Sequence, residues 1–365
     1  MQATNNDVLG FYFSPPDVQG VRKLTGKAKE DAEAIFSTHN ILKPMNTFER
    51  GWLYGYIYAG DISVFVAIGR DSKDSRFFQE FRFNGKTSIV GEKLCVSVFE
   101  QNKVIIRERG LQVDWAGPFP EFNVSVWLEN EGSKAEFRYK FEKINDKVGP
   151  YRFVGDILGN RLIYAYVTPC KATLSVKIEG DPAKLGIPAE LYDRINGKEI
   201  TSFFAYNEAV HANTPLYNGG WYWHMLECYQ DNPAKPELMF GFMDLFMDGN
   251  KPDRDGDATV LSIQFYTIDL ETGKIHIDTD AKITRETKDN KPVFTLENDE
   301  MTAEIRAQTA PELRKVEGKK VMFGVHLQHM EYSSYQSEGT VKIGDKTYNA
   351  VGTSEIAGGK GQRWI

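Results

Sequence analysis

The sequence predicts an all-β protein of two tandem antiparallel β-barrels preceded by a short helical segment. Two observations carry this. After Met45 the chain breaks into short runs of alternating apolar and polar residues separated by turn signals, the pattern of half-buried strands. There are 23 Phe, 17 Tyr and 6 Trp in 365 residues, and such rings favour the pleated surface of a sheet. Many short strands at even spacing argue for a closed barrel or a sandwich, and closure removes exposed edges.

The helical expectation falls on residues 17–38. This stretch is rich in Ala, Lys and Glu, with apolar residues at Val21, Leu24, Ala28, Ala32 and Ile35, close to the helical period. Asp17 follows Ser14-Pro15-Pro16 as a candidate cap.

Eight strands are expected for the first barrel, at 51–58, 62–68, 77–83, 93–99, 103–109, 111–115, 123–129 and 135–143. Glu100-Gln101-Asn102 and Asn130-Glu131-Gly132 read as hairpin turns. Residues 146–160 are rich in Gly, Asp and Pro, including Val148-Gly149-Pro150, and read as a domain junction. The expected division is 1–45 for the helical segment, 46–150 for the first barrel and 151–365 for the second. Twelve strands are expected after the junction, with turns at Glu271-Thr272-Gly273 and Gly344-Asp345. An internal echo supports two related units: Gly51-Trp52-Leu53-Tyr54 opens the first series and Gly220-Trp221-Tyr222-Trp223 recurs in the second.

Composition narrows the partners. The net charge of -7 is spread along the chain, with no basic patch interleaved with aromatics, which argues against nucleic acid. No apolar run is long enough to span a bilayer as a helix, so an integral membrane protein is not expected. Residues 1–8 are polar and do not read as a signal peptide; the compartment stays open. Cys95, Cys170 and Cys228 form no C-x-x-C pair, so no thiolate zinc site and no disulfide framework is expected.

The densest chemistry lies in residues 205–229. Alternation puts Tyr206 and Glu208 on one face of their strand. It puts Trp221, Trp223 and Met225 on one face of the next, with Tyr222, His224 and Leu226 on the other. An aromatic wall beside a carboxyl group has a specific consequence. Desolvation disfavours the charged carboxylate and raises its pKa, so the neutral acid can donate a proton near neutral pH. Ring faces stabilise a carbocation. The plainer alternative, Glu208 at a wet strand end, stays open. His211 and His224 are candidates for a relay, for ligands or for ordinary core histidines.

A second polar cluster holds His326, His329 and Glu331, without the spacing of a metal motif. The acidic run 248–257 resembles a calcium loop but lacks the closing acidic residue. No metal or cofactor is expected. Residues 358–361 follow no strand-then-helix pattern and do not read as a phosphate loop.

Taken together, the strand of residues 197–208 ending in Glu208, the Gly-Trp-x-Trp strand at 220–223, and closing strands with Gly352 and Glu355 resemble the lipocalin-like superfamily. That superfamily includes carotenoid 1,2-hydratases, AttH-type proteins and lipocalin-like Diels–Alderases. The resemblance implies two lipocalin-like barrels and a pocket for a hydrophobic ligand, with Glu208 at the family's acidic position. Tyr206-Asn207-Glu208-Ala209 departs from the family pattern in lacking Trp and Asp, and Trp52 stands alone where paired Trp residues are common. Hydratases need an acid; Diels–Alderases act by holding a folded substrate near its reactive shape.

The resulting expectation is an enzyme acting on a hydrophobic unsaturated small molecule, an isoprenoid or polyene, by hydration, cyclisation or isomerisation. Glu208, His224 and His211 are the catalytic candidates. Tyr206, Trp221, Trp223, Tyr222, Trp52, Tyr54 and His326 are candidate lining residues. The alternatives are a non-catalytic carrier of a hydrophobic ligand and a carbohydrate-active β-sandwich enzyme with an open groove between two carboxylates.

Overall fold

The computed structural model describes residues 2–3, 8–13, 18–23, 50–70, 75–100, 103–117, 121–157, 162–212, 220–246, 256–257, 262–278, 282–312, 314–317 and 329–358. These residues form an all-β protein of two large sheets, one of 15 strands and one of 12. Nearly all ladders are antiparallel; Tyr151–Ile157 runs parallel to Val8–Phe13.

The first sheet wraps around its own core. Its order runs from Ser75–Phe83 through Ile62–Arg70, Arg50–Ala59, Glu199–Ala212, Leu162–Glu179, Ser133–Lys143, Asn123–Asn130 and Leu111–Ala116 to Lys103–Glu108. The two ends then meet through one stretch of chain. Lys93–Cys95 pairs with Ser75–Phe83, and Ser97–Glu100 pairs with Lys103–Glu108. Inward residues such as Leu53, Ile57, Val64, Phe81, Trp115 and Phe137 fill the interior. Gly55 shows how tight it is: a Cβ there would lie 2.5 Å from Cζ of Phe141. A short helix, Ala189–Ile195, contributes Leu191 and Ile195 to this core, four apart on one face.

The second sheet curls in the same way. Its order includes Ser262–Asp269, Leu238–Phe246, Gly220–Tyr229, Lys346–Gly358, His329–Ile343, Met301–Ala307 and Lys291–Glu297. Phe242 and Phe294, on strands five apart in that order, meet with ring centroids at 5.7 Å. A third apolar cluster lies between the sheets. It joins Tyr54, Tyr56, Phe65 and Phe78 of the first to Trp223, Met225, Met239, Tyr266 and Ile268 of the second.

Two expectations change. The boundary is not near residue 150. The Gly-Pro segment there is a turn within the first sheet, because Tyr151–Ile157 pairs with Leu162–Glu179, which also pairs with Ser133–Lys143. Sheet membership changes between Ala212 and Gly220 instead. The N-terminal helix does not begin at Asp17: Val18–Lys23 is a strand paired with Val8–Phe13. The remainder of that expected helix lies outside the described residues.

The expected turns at Asn130-Glu131-Gly132 and Gly344-Asp345 close tight hairpins, with Asn130 paired to Ser133 and Ile343 to Lys346. Glu131 and Gly132 both take positive φ, 46° and 79°, as a primed hairpin turn requires. All three cysteines are free and buried. Among the described residues no helix is long and apolar enough to cross a membrane.

Candidate functional site between the two sheets

The echoed strands Arg50–Ala59 and Gly220–Tyr229 meet across the space between the sheets. Alternation sends Leu53 and Ile57 into the first core and Tyr54 and Tyr56 outward. It sends Trp223 and Met225 of the second strand toward them. Tyr54 and Trp223 touch edge to face at 5.7 Å; Tyr54 also packs on Phe65 at 4.3 Å. The result is a seam walled by aromatic rings.

Charged groups are set into this seam. On Ser75–Phe83, Phe77 and Phe81 face the first core, and Phe78, Glu80 and Arg82 face the second sheet. Glu80 is 2% exposed and Arg82 4%. Arg82 Nε donates to Glu80 Oε1 at 2.6 Å, and its Nη1 donates to Thr353 Oγ1 at 2.8 Å. Arg82 also donates to Ser334, which donates to Glu80 at 2.9 Å. The guanidinium therefore ties both sheets together, and its pairing offsets the cost of burying two charges.

Beside this cluster stands Glu355, 8% exposed, which accepts a hydrogen bond from the Tyr332 hydroxyl at 2.7 Å. Burial and then the Glu355 carboxylate push the Tyr332 hydroxyl well above its usual range; the same two causes act on Tyr54. Both phenols are O–H donors at neutral pH. Glu355 is paired in the ladder with Trp223 on one side and Ser334 on the other. Buried carboxylates, phenol donors and ring faces thus share one water-poor space. Such a space favours a developing positive charge through carboxylates and ring faces, and the Tyr332 oxygen, its proton given to Glu355, is left as an acceptor toward a substrate.

The expected site residues divide. Tyr54 and Trp223 line the seam, and Trp52 packs against the same cluster. The backbone ladder pairs Glu208 with Tyr54 and Tyr206 with Tyr56, and pairs His211 with Gly51. Trp221 pairs with Ala357. The side chains of Glu208, Tyr206, His211 and Trp221, and all of His326, lie outside the described residues, as do the side chains of His329 and Glu331 and residues 248–255 of the acidic run.

Tyr222 and His224 belong elsewhere. The strict alternation of their strand turns them into the interior of the second sheet. There His224 is fully buried, stacks on Phe242 at 4.0 Å and shares a 2.6 Å hydrogen bond between Nδ1 and Ser354 Oγ. Ser354 Oγ is also 2.6 Å from Ser337 Oγ. Burial, then the Arg285 charge, holds His224 well below its usual pKa, so it is neutral. His224 does not share a face with Trp223 and is a core histidine.

Glu80, Arg82, Tyr332, Ser334 and Thr353 were not legible as site residues. The signal available was the alternation Phe78-x-Glu80-x-Arg82 opposite Phe77-x-Gln79-x-Phe81, which from sequence reads as a solvent face.

An open groove of about 340 Å³ lies apart from the seam, lined by residues including Gln112, Trp127, Lys134, Glu136, Lys177 and Glu179. Its carboxylates are engaged: Glu136 with Trp127 and Arg138, Glu179 with Lys177.

No protein-family model matches the sequence, and comparison with curated proteins finds no match. Comparison with solved structures finds similarity to kievitone hydratase from Nectria haematococca, at 12% identity and a TM-score of 0.44, covering 88% of this chain and 92% of that one. It also finds CghA, at 10% identity and a TM-score of 0.43, covering 86% and 88%, and CghA with Sch210972, at 8% and 0.41. At these values the likeness carries no statement about substrate or reaction in this chain.

Proposed function

We propose that this protein is an enzyme that takes a hydrophobic, unsaturated small molecule into the seam between its two sheets and directs hydration, cyclisation or isomerisation. The observation that carries this reading is the buried Glu355–Tyr332 pair within an aromatic wall. The wall supplies apolar contact, and Trp223 and Tyr54 offer ring faces to a developing cation. Glu355 stabilises that charge, and the Tyr332 hydroxyl orients the substrate. Glu208 is the acid or orienting carboxylate, on the strand whose ladder places it opposite Tyr54. Tyr206, Trp221 and Trp52 complete the wall, and His211 assists.

The test is turnover of a panel of polyenes and terpenoids, read by mass spectrometry of the extracted products. Glu355→Gln and Glu208→Gln are each expected to lose ~10²-fold or more in rate, the usual scale of acid–base catalysis, while still folding and retaining ligand. Unchanged turnover in both variants removes the role of these carboxylates. A bound ligand released unaltered by the wild-type protein identifies a carrier instead.

A further inference from the structure

Among the described residues one carboxyl group in the seam has no partner. Glu227 lies two residues from Met225 and four from Trp223, on the face of Gly220–Tyr229 that meets the first sheet; Leu226 and Cys228 point the other way. It is 4% exposed. Among the described residues no hydrogen bond or ion pair reaches it.

Its surroundings explain why it stays neutral. Across the ladders its neighbours are Val351 and Met239. From the first sheet, Tyr56 and Tyr58 face it. The other ionisable groups nearby are Tyr229 and Glu338, which act with it on Tyr58, and Cys228 on the opposite face. No cation offsets the burial, which alone raises its pKa to about 8. A nearly buried donor without a partner is costly, and an acceptor on a bound molecule relieves that cost.

We propose that Glu227 is the seam's recognition group for an uncharged oxygen, donating a hydrogen bond to a hydroxyl or carbonyl on the bound apolar molecule and disfavouring a carboxylate at that end. The substrate class narrows accordingly from a hydrocarbon to an oxygenated isoprenoid or polyene. The inference rests on the seam being the binding site, as in the proposed function, but not on any catalytic step there. The geometry that supports it is the position of an unpaired carboxyl on the same strand face as Trp223, against two tyrosines of the opposite sheet.

The experiment has two readouts. Infrared difference spectra between wild type and Glu227→Gln near pH 7 are expected to show the carbonyl band of a protonated carboxylic acid, lost in the variant. This needs no ligand and no turnover. A missing band overturns the proposal. Calorimetric binding is then compared for geraniol, geranic acid and the hydrocarbon myrcene. Wild type near pH 6.5 is expected to prefer geraniol over the other two by ~10-fold, about one good hydrogen bond. The preference is expected to fade as pH rises past about 8, because a carboxylate cannot donate. Glu227→Gln keeps an N–H donor and is expected to hold the preference at all pH values; Glu227→Leu is expected to lose it. A preference that survives in Glu227→Leu overturns the proposal, as does binding without preference or no binding of any of the three. Loss of turnover in Glu355→Gln or Glu208→Gln, or its absence in wild type, leaves both readouts standing, so the two readings fail separately.

Discussion

One strand, Gly220–Tyr229, presents two buried faces that solve opposite problems. Its interior face carries Tyr222, His224, Leu226 and Cys228 into a core where His224 is hydrogen-bonded to Ser354 and stacked on Phe242. Its seam face carries Trp223, Met225 and Glu227 against another sheet. There a nearly buried carboxyl group has no hydrogen-bond partner among the described residues. His224 finds a partner for Nδ1 alone, and its Nε2 stays buried without one among the described residues, although an unpaired polar group costs free energy. The interior is thus not free of orphans, since among the described residues the Tyr335 hydroxyl is also buried without a partner; the difference is that the seam face's unpartnered group is an ionisable carboxyl set between two sheets.

The seam's fixed charges give the largest expected effect. Arg82→Met leaves the Glu80 carboxylate buried without its cation. Removing one partner of a buried pair costs ~3–5 kcal/mol, whereas replacing both is often neutral. Urea unfolding is expected to show that loss in the single variant and recovery of most of it in Glu80→Gln/Arg82→Met. A single variant as stable as wild type would mean that the ion pair does not bind the sheets together, and the seam would then lose its distinction from an ordinary interface.

The all-β class, most strands and the tight hairpins were legible because each is local: period-two alternation and turn residues lie within a few positions of one another. The alternation in residues 222–226 also separated the faces of that strand correctly. What it could not supply was which sheet each face would meet, so His224 stayed a catalytic candidate beside the core-histidine reading. Pro169 shows how a strand accommodates a proline. Leu162–Glu179 runs as one strand straight through it. On one side of it the ladder with Ser133–Lys143 stops at Cys170 and the ladder with Tyr151–Ile157 resumes at Val167. Proline falls in the gap, where no N–H is required of it. The partners of Arg82, Ser334 and Thr353, are more than 250 positions away, and no local pattern reports such a pairing.

Glu227 gives the next effect, and its sign is opposite to that of a paired carboxylate. Its folded pKa, about 8, lies above the value near 4.5 expected when it is exposed. Between these values the folded protein holds a proton that the unfolded chain releases. Stability therefore falls as pH rises from about 4.5 to about 8. Glu227→Gln removes this dependence. It is expected to be more stable than wild type above neutral pH, by at most on the order of 3 kcal/mol at pH 7, and equal to it near pH 4. A thermal-melting series across that range checks the sign; a variant less stable than wild type at pH 8 would show that the carboxylate is stabilised by a partner.

The interior face supplies the smallest effect and the control. His224 is held neutral, with its pKa below the usual value of 6.5, so below that pH the unfolded chain binds the extra proton and stability is lost on acidification. Ser337→Ala removes one link beyond His224 and leaves the Ser354 contact in place. The cost is expected to be about 1 kcal/mol, that of one neutral hydrogen bond. Because neither serine titrates and His224 stays uncharged, that cost is expected to be the same at pH 5 and pH 8 by calorimetry. A cost that grows on acidification would mean that His224 takes up a proton inside the fold and that the serine chain solvates the cation. The interior face would then hold a working ionisable group, and the contrast with the seam would vanish.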